Sequence, residues 1–165
     1  MVLEPRRMLR GALAGGIAAG VWALQQPLDK RALRCDYDDV ELLGRAVLPH
    51  AGRTRWYPAG LLLHVQNGAV FGAIYAGVVG PALARGGVPR ALGAPLVVQV
   101  ENFGLWPLGR LSDRFHPARD DLPGLTGNRR ALAQATWRHL LFGIVLGELE
   151  RRLNQQPAEA PISAA

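Results

Sequence analysis

Lysine is almost missing from this chain. Lys30 is the only one, and the other 18 of the 19 basic residues are arginine. That skew reads as genome composition more than chemistry. Cysteine is as scarce: Cys35 stands alone, so no internal disulfide can form, and with no partner motif it reads as a bystander. Charge is thin, at 19% of residues against a usual quarter or so. No serine or cysteine has a credible base, no phosphate loop is present, and the Glu-x-x-His pairs of ferritin-like di-iron bundles are missing. Asp36, Asp38 and Asp39 cluster, but without the glycine turn and terminal glutamate of a calcium loop, so they read as a solvated cap. The net charge of +6 is not clustered with aromatics as a nucleic-acid binder would have it. The basic residues sit at the ends of apolar runs, as membrane flanks do.

The runs themselves come next. Between Arg10 and Asp29 lie 18 residues without a charge. Between Arg55 and Arg85 lie 29, between Arg90 and Arg110 lie 19 broken by Glu101, and between Arg130 and Glu148 lie 17 broken by Arg138 and His139. A helix needs about 20 residues to cross the hydrocarbon core. A soluble surface helix would show a polar face every turn, and GLLLHVQNGAVFGAIYAGVVG (60–80) has none. The expected fold is therefore all-α. A single membrane domain over 1–153 carries four spans, about 9–28, 59–82, 89–110 and 131–150, and a disordered tail follows over 154–165. The first run also resembles a signal peptide, with Val21-Trp22-Ala23 at its end, but it continues through Leu24 and three spans follow.

Small residues recur every four positions: Gly11 and Gly15, Gly16 and Gly20, Gly68 and Gly72, Gly143 and Gly147. This spacing cuts a groove in a helix face and lets backbones approach. Between the first two spans, DYDDVELLGRAVLP reads as a short amphipathic surface helix. Asp38 is its cap, Glu41 completes a capping box, and Val40, Leu43 and Val47 share a face. Residues 83–90 read as a tight turn and 111–130 as a polar loop. The side with the long loops carries 11 Lys and Arg residues against 7 on the side of the termini, while the RRMLR cluster argues the other way, so orientation stays open.

Counted inward from the long-loop side, Gln25, His64, Asn67, Glu101, Asn102, Arg138 and His139 all fall in one layer, roughly 5–14 Å deep at 1.5 Å per residue. Trp56, Tyr57 and Trp106 mark the boundary above it as an aromatic belt. A charge in the membrane costs roughly 2.5–3.5 kcal/mol on insertion scales and turns inward to a partner. Glu101 and Arg138 match in depth and oppose in charge, which predicts that they pair. His64 and Asn67 share a helix face that Gly68 extends and Tyr75 continues. Three readings of the layer stand open: a structural knot, a site for protons or a polar solute, and a metal site on His64, Glu101 and His139, with Glu148 as a fourth ligand.

HVQNGAVFGAIYAG (64–77), Glu101-Asn102 and WRHLLFG (137–143) resemble the YagU-like family of small bacterial inner-membrane proteins. The resemblance runs from about residue 8 to 150. It implies a multi-pass protein of the bacterial cytoplasmic membrane with a link to acid tolerance. Only one acid stands in the third span, so a two-carboxylate site does not carry over. The functional expectation is a non-enzymatic membrane protein that handles protons or a small polar solute, without cofactor or nucleic acid. Its partners are the bilayer and a homo-oligomer or membrane complex. The alternatives are a metal-dependent membrane enzyme and a structural or interaction subunit.

Overall fold

A computed structural model describes residues 4–154. Of the tail expected to be disordered over 154–165, Asn154 caps the last helix with its N–H on the Glu150 carbonyl, and 155–165 lie outside the described residues. The fold is all-α. Helix α1 spans Pro5–Leu33, α2 Asp39–Val47, α3 Arg53–Ile74, α4 Gly80–Arg85, α5 Arg90–Leu105, α6 Gly109–Phe115 and α7 Arg129–Leu153. A π-helical turn at Tyr75–Val79 joins α3 to α4, and a 3-10 turn at Trp106–Leu108 joins α5 to α6. Helix therefore runs on into the segment 111–115 that composition marks as loop.

Among the described residues, one helix is long and apolar enough to cross a membrane. It is the continuous stretch Arg53–Arg85, 33 residues long, whose apolar 18-residue window has a mean hydropathy of 1.4. The other long helices fall short for visible reasons. α1 is rich in alanine and glycine, α5 runs only 16 residues before its 3-10 turn, and α7 carries Arg138 and His139 at its middle.

The bundle packs α1 against α3 and α7, and α7 against α5, while α2 lies across the start of α3. The buried face of α1 is a seam of Gly11, Ala14, Gly15, Ala18, Trp22, Gln26 and Asp29, spaced at three and four. Backbones meet where glycines face each other. A Cβ on Gly15 would collide with the Gly68 carbonyl, and one on Gly72 with the Gly11 carbonyl. In α7, Gly143 lies against the Pro95 backbone of α5 and Gly147 against Ala94. The pair Gly16 and Gly20 does not serve this way. Gly16 has ordinary contact with Val65 and Ala69, and Gly20 has open space. The four-residue spacing occurs on two faces of α1, and only the Gly11–Gly15 face meets the backbone of α3.

The interior mixes alanines and a few large apolar side chains, among them Val98, Phe142 and Leu146, with buried polar groups, and many large apolar side chains lie on the surface. Ala14, Ala18, Gln134 and Arg138 are wholly buried. Leu24 is 82% exposed, Val100 74% and Leu9 72%. Large apolar side chains exposed in such number are uncommon on a water-soluble domain.

Helix α2 forms as its sequence predicts. The Asp38 carboxylate accepts from the amides of Val40 (2.9 Å) and Glu41 (3.0 Å). Glu41 pairs with Arg45 rather than closing the capping box. Val40 and Gly44 are buried, whereas Val47 is more than half exposed. Gly44 seats on the Trp56 carbonyl and Gly60 on the Val40 carbonyl, which locks α2 across α3. A second small core of Cys35, Tyr37, Leu125, Ala131 and Ala135 lies beneath this roof.

The two glycine faces of α1 separate in a stability measurement. Gly15→Ala forces α1 from α3 and should cost about 1–3 kcal/mol. Gly20→Ala meets nothing and should be neutral or slightly stabilising through helix propensity. Thermal unfolding of the two purified variants beside wild type reads the difference.

Candidate functional site

Arg138 is the largest fully buried side chain. Its partners are not the one expected. Nε and Nη2 donate to the two oxygens of Asp29, each at 2.7 Å, in the planar fork that guanidinium and carboxylate share. Nη1 donates to Asp39 at 2.8 Å, Nη2 also donates to the Tyr37 carbonyl at 3.0 Å, and the group lies 5.6 Å from the Tyr37 ring centroid. Asp29 in turn accepts from the amides of Gln134 and Gln25, each at 2.6 Å, and Asp39 from the Tyr37 hydroxyl at 2.6 Å. One arginine thus ties α1, α2 and α7 together.

The predicted Glu101–Arg138 pair does not form. The two residues match in depth, but Arg138 points toward α1 and α2. The next residue, His139, is turned about 100° around the helix and faces α5. Glu101 lies 3.6 Å from His139 Nε2. Depth along a helix is readable from a residue count; direction around it is not.

Helices α3 and α5 do not pack closely, and between them opens a cavity of about 370 Å³. His64, Asn67, Glu101, Asn102 and His139 line it, as do Trp22, Tyr37 and Asp39. A smaller space of about 140 Å³, bounded by Gly68, Phe71 and Phe142, shares Trp22, His64, Asn67, Glu101 and His139 with it. Five of the seven residues of the predicted layer therefore meet at one cavity. Arg138 stands behind its wall, and Gln25 faces the opposite side of the bundle. Tyr75, expected on the same face, is buried near the other end, against Gly80 and Gly93.

The two histidines are set alike. His139 Nδ1 donates to the Ala135 carbonyl at 2.7 Å, one turn back in its own helix. His64 donates to the Ala19 backbone, and its Nε2 is buried with no hydrogen-bond partner among the described residues. With Nδ1 occupied in each ring, Nε2 is the free nitrogen of both. Trp22 stands edge-on to the two rings, at centroid distances of 5.0 Å to His64 and 4.7 Å to His139. Asn102 bridges to Gln99 and Thr136 across α5 and α7, each at 3.4 Å. Among the described residues, no three His, Cys, Asp or Glu side chains converge as metal ligands would.

At the roof, electrostatics are one-sided. Burial alone raises the Asp39 carboxyl, but the Arg138 guanidinium and the Tyr37 hydroxyl outweigh it and hold the group below its usual value. Burial and the neighbouring Asp39 push the Tyr37 hydroxyl well above its ordinary range. The segment after α6 closes the roof. Asp113 accepts from the amides of Leu125 and Thr126, each at 2.7 Å, and His116 Nε2 donates to the Leu42 carbonyl at 2.9 Å.

Sequence reasoning missed Asp29 and Asp39. Asp29 reads as the charge that ends a span, and Asp39 as one of a solvated trio. A signal for Asp29 was present: it continues the seam through Ala18, Trp22 and Gln26. Nothing local marks Asp39 apart from Asp36, because only the packing of α2 turns it inward.

No protein-family model, no curated protein and no solved structure matches the chain.

Removing Arg138 leaves two carboxylates buried without a cation. Arg138→Met should cost about 3–5 kcal/mol. Arg138→Lys should not restore it, because one ammonium cannot make the fork. Asp39→Asn gives a pH signature. Its folded carboxyl is held low, so its stabilisation is complete above the unfolded value near pH 4 (about 3.9) and disappears as pH falls through the folded one. The stability gap between wild type and Asp39→Asn should be present at neutral pH and close at strongly acid pH, measured by thermal unfolding.

Proposed function

We propose that this chain is a four-span protein of the bacterial cytoplasmic membrane whose polar cavity handles protons or a small cationic or neutral solute. The spans are those expected from the apolar runs, about 9–28, 59–82, 89–110 and 131–150. The outward-facing large apolar residues support this reading. Leu9, Leu13, Ile17 and Leu24 on α1, Leu62, Val70 and Ile74 on α3, Leu92, Leu96 and Val100 on α5, and Leu140 and Ile144 on α7 are exposed around the bundle. Water would disfavour such a girdle, and hydrocarbon would not.

The observation that carries the functional reading is the cavity wall. It holds two imidazoles with free Nε2 atoms and the carboxylate of Glu101, with no lysine or arginine among its lining residues. Glu101 and His139 face each other at 3.6 Å, beyond direct hydrogen-bond distance, so a proton would pass between carboxylate and imidazole after a small side-chain shift or through one water. The negative groups favour a proton or cation over an anion. A titratable wall of this kind, with His64 buried and Glu101 and His139 partly exposed, is the ordinary material of intramembrane proton pathways. The resemblance to the YagU-like family and its link to acid tolerance agree with that use.

The experiment is proton or solute flux in vesicles reconstituted with the full chain, together with survival of cells after acid challenge. Glu101→Gln keeps the shape and removes the charge. It should lower pH-dependent flux by about tenfold or more, in line with the loss of one positioned acid–base group, and abolish any survival benefit. Unchanged flux and survival in a folded variant would sink the reading.

A further inference from the structure

On the side of the bundle away from the cavity, α1 and α7 leave an open apolar groove of about 680 Å³. Val21, Leu28, Leu33, Ala133, Trp137 and Leu141 form most of its walls, and Gln25 and Asp29 lie at its floor. The Trp137 indole N–H donates to the Gln25 side-chain oxygen at 3.0 Å across that floor.

Two cross-links set the register of the groove. Gln134 bonds Asp29, and Trp137 bonds Gln25, so the helices run antiparallel with 29 level with 134 and 25 level with 137. One turn further, Leu33 and Arg34 come level with Arg130 and Arg129. Arg31, Arg34, Arg129 and Arg130 are all exposed there. None of the four has an ion-pair partner among the described residues, whereas Lys30, Arg45 and Arg138 nearby are all paired with aspartates. The groove runs along α1 from Val21 to Leu33, 12 residue steps or about 18 Å. That is close to half of the roughly 30 Å hydrocarbon core, the depth of one leaflet.

We infer that this groove is a binding site for an anionic phospholipid, with an acyl chain lying along α1 and α7 and its phosphate held by Arg31, Arg34, Arg129 and Arg130. The inference rests on the membrane reading above. Apolar walls one leaflet deep match a chain, and unpaired guanidinium groups at the polar end match a phosphate. A zwitterionic lipid fits the walls equally well but lacks the net charge that four unpaired arginines attract. The occupied groove would brace Trp137 and Gln25, and through Gln25 the Asp29 carboxylate that holds Arg138.

The test uses the full chain in mild detergent, with phosphatidylglycerol and phosphatidylcholine added in equal amounts and retained lipid counted by native mass spectrometry. Wild type should retain the anionic lipid about tenfold more often than the zwitterionic one. Replacing Arg31, Arg34, Arg129 and Arg130 together by glutamine should bring the ratio to about one. Ala133→Trp fills the groove without touching charge and should reduce retention of both lipids. Arg6→Gln with Arg10→Gln, at the opposite end of α1, should change neither. Thermal unfolding checks that each variant folds, and Ala133→Trp keeps the question open if the quadruple variant does not. A ratio preserved in the quadruple variant, or retention unchanged in Ala133→Trp, overturns the lipid site. Alkaline carbonate extraction of cell membranes separates the two levels. Release of the chain by carbonate removes the membrane reading and the lipid site together. A chain that stays embedded but shows no arginine-dependent preference loses only the lipid site.

Discussion

A guanidinium with no exposure to solvent must be neutralised where it stands, and the arrangement of this bundle follows from how Arg138 meets that demand. Asp29 reaches it from α1 and Asp39 from α2. Neither aspartate can arrive unless its helix is held at the right height. α1 is held by glycine contact with α3, and α2 by the Gly44–Gly60 contact and the Asp38 cap. The ion cluster therefore adds little to net stability by itself, since desolvation offsets much of the attraction. What it contributes is specificity: other helix registers would leave a charge buried without its partner.

The same cluster determines what the cavity can be. Arg138 uses its hydrogen bonds on Asp29, Asp39 and the Tyr37 carbonyl, so it presents no cation to the space between α3 and α5. His64, His139 and Glu101 are left as the titratable groups of the wall that lie outside the cluster, on three different helices. The polar groups of the brace and those of the cavity are thus separated by one residue step along α7. Arg138 faces the brace, and His139 faces the cavity. Both histidines give one nitrogen to a backbone carbonyl, which fixes ring orientation and leaves the other nitrogen without a backbone partner.

Much of this was legible in the chain because depth and face are written in residue spacing. Gaps between charges locate the long helices, and counting from their ends brings His64, Asn67, Glu101, Asn102 and His139 to one level. Asp38 announces the start of α2 by its position before an amphipathic stretch. What spacing does not carry is the rotation of one helix against another. Arg138 and Glu101 share a level without sharing a direction, and Gly16–Gly20 shares a period with Gly11–Gly15 without sharing a neighbour. Asp39 was hidden for a different reason. Its burial belongs to tertiary packing, the seating of α2 on α3, and no pattern within residues 36–41 distinguishes it from Asp36.

The contrast between interior and exterior links the two proposed sites. A bundle that sets alanine, glycine and charge beside only a few large apolar side chains inside, and leaves many leucines, valines and isoleucines outside, has less apolar area to bury between its helices. Close backbone approach and satisfied polar groups must then hold it together. Such packing leaves gaps wherever small residues do not meet, and two of these gaps are the proposed sites. One gap, between α3 and α5, is lined by titratable groups; the other, between α1 and α7, is lined by apolar ones. They lie on opposite sides of the wall formed by Trp22, Asp29 and Arg138. Any change in the α1–α7 spacing moves Asp29 relative to Arg138, and Arg138 relative to Asp39 on the cavity wall. A ligand in the apolar groove and a proton in the polar cavity would therefore act on the same ion cluster from its two faces.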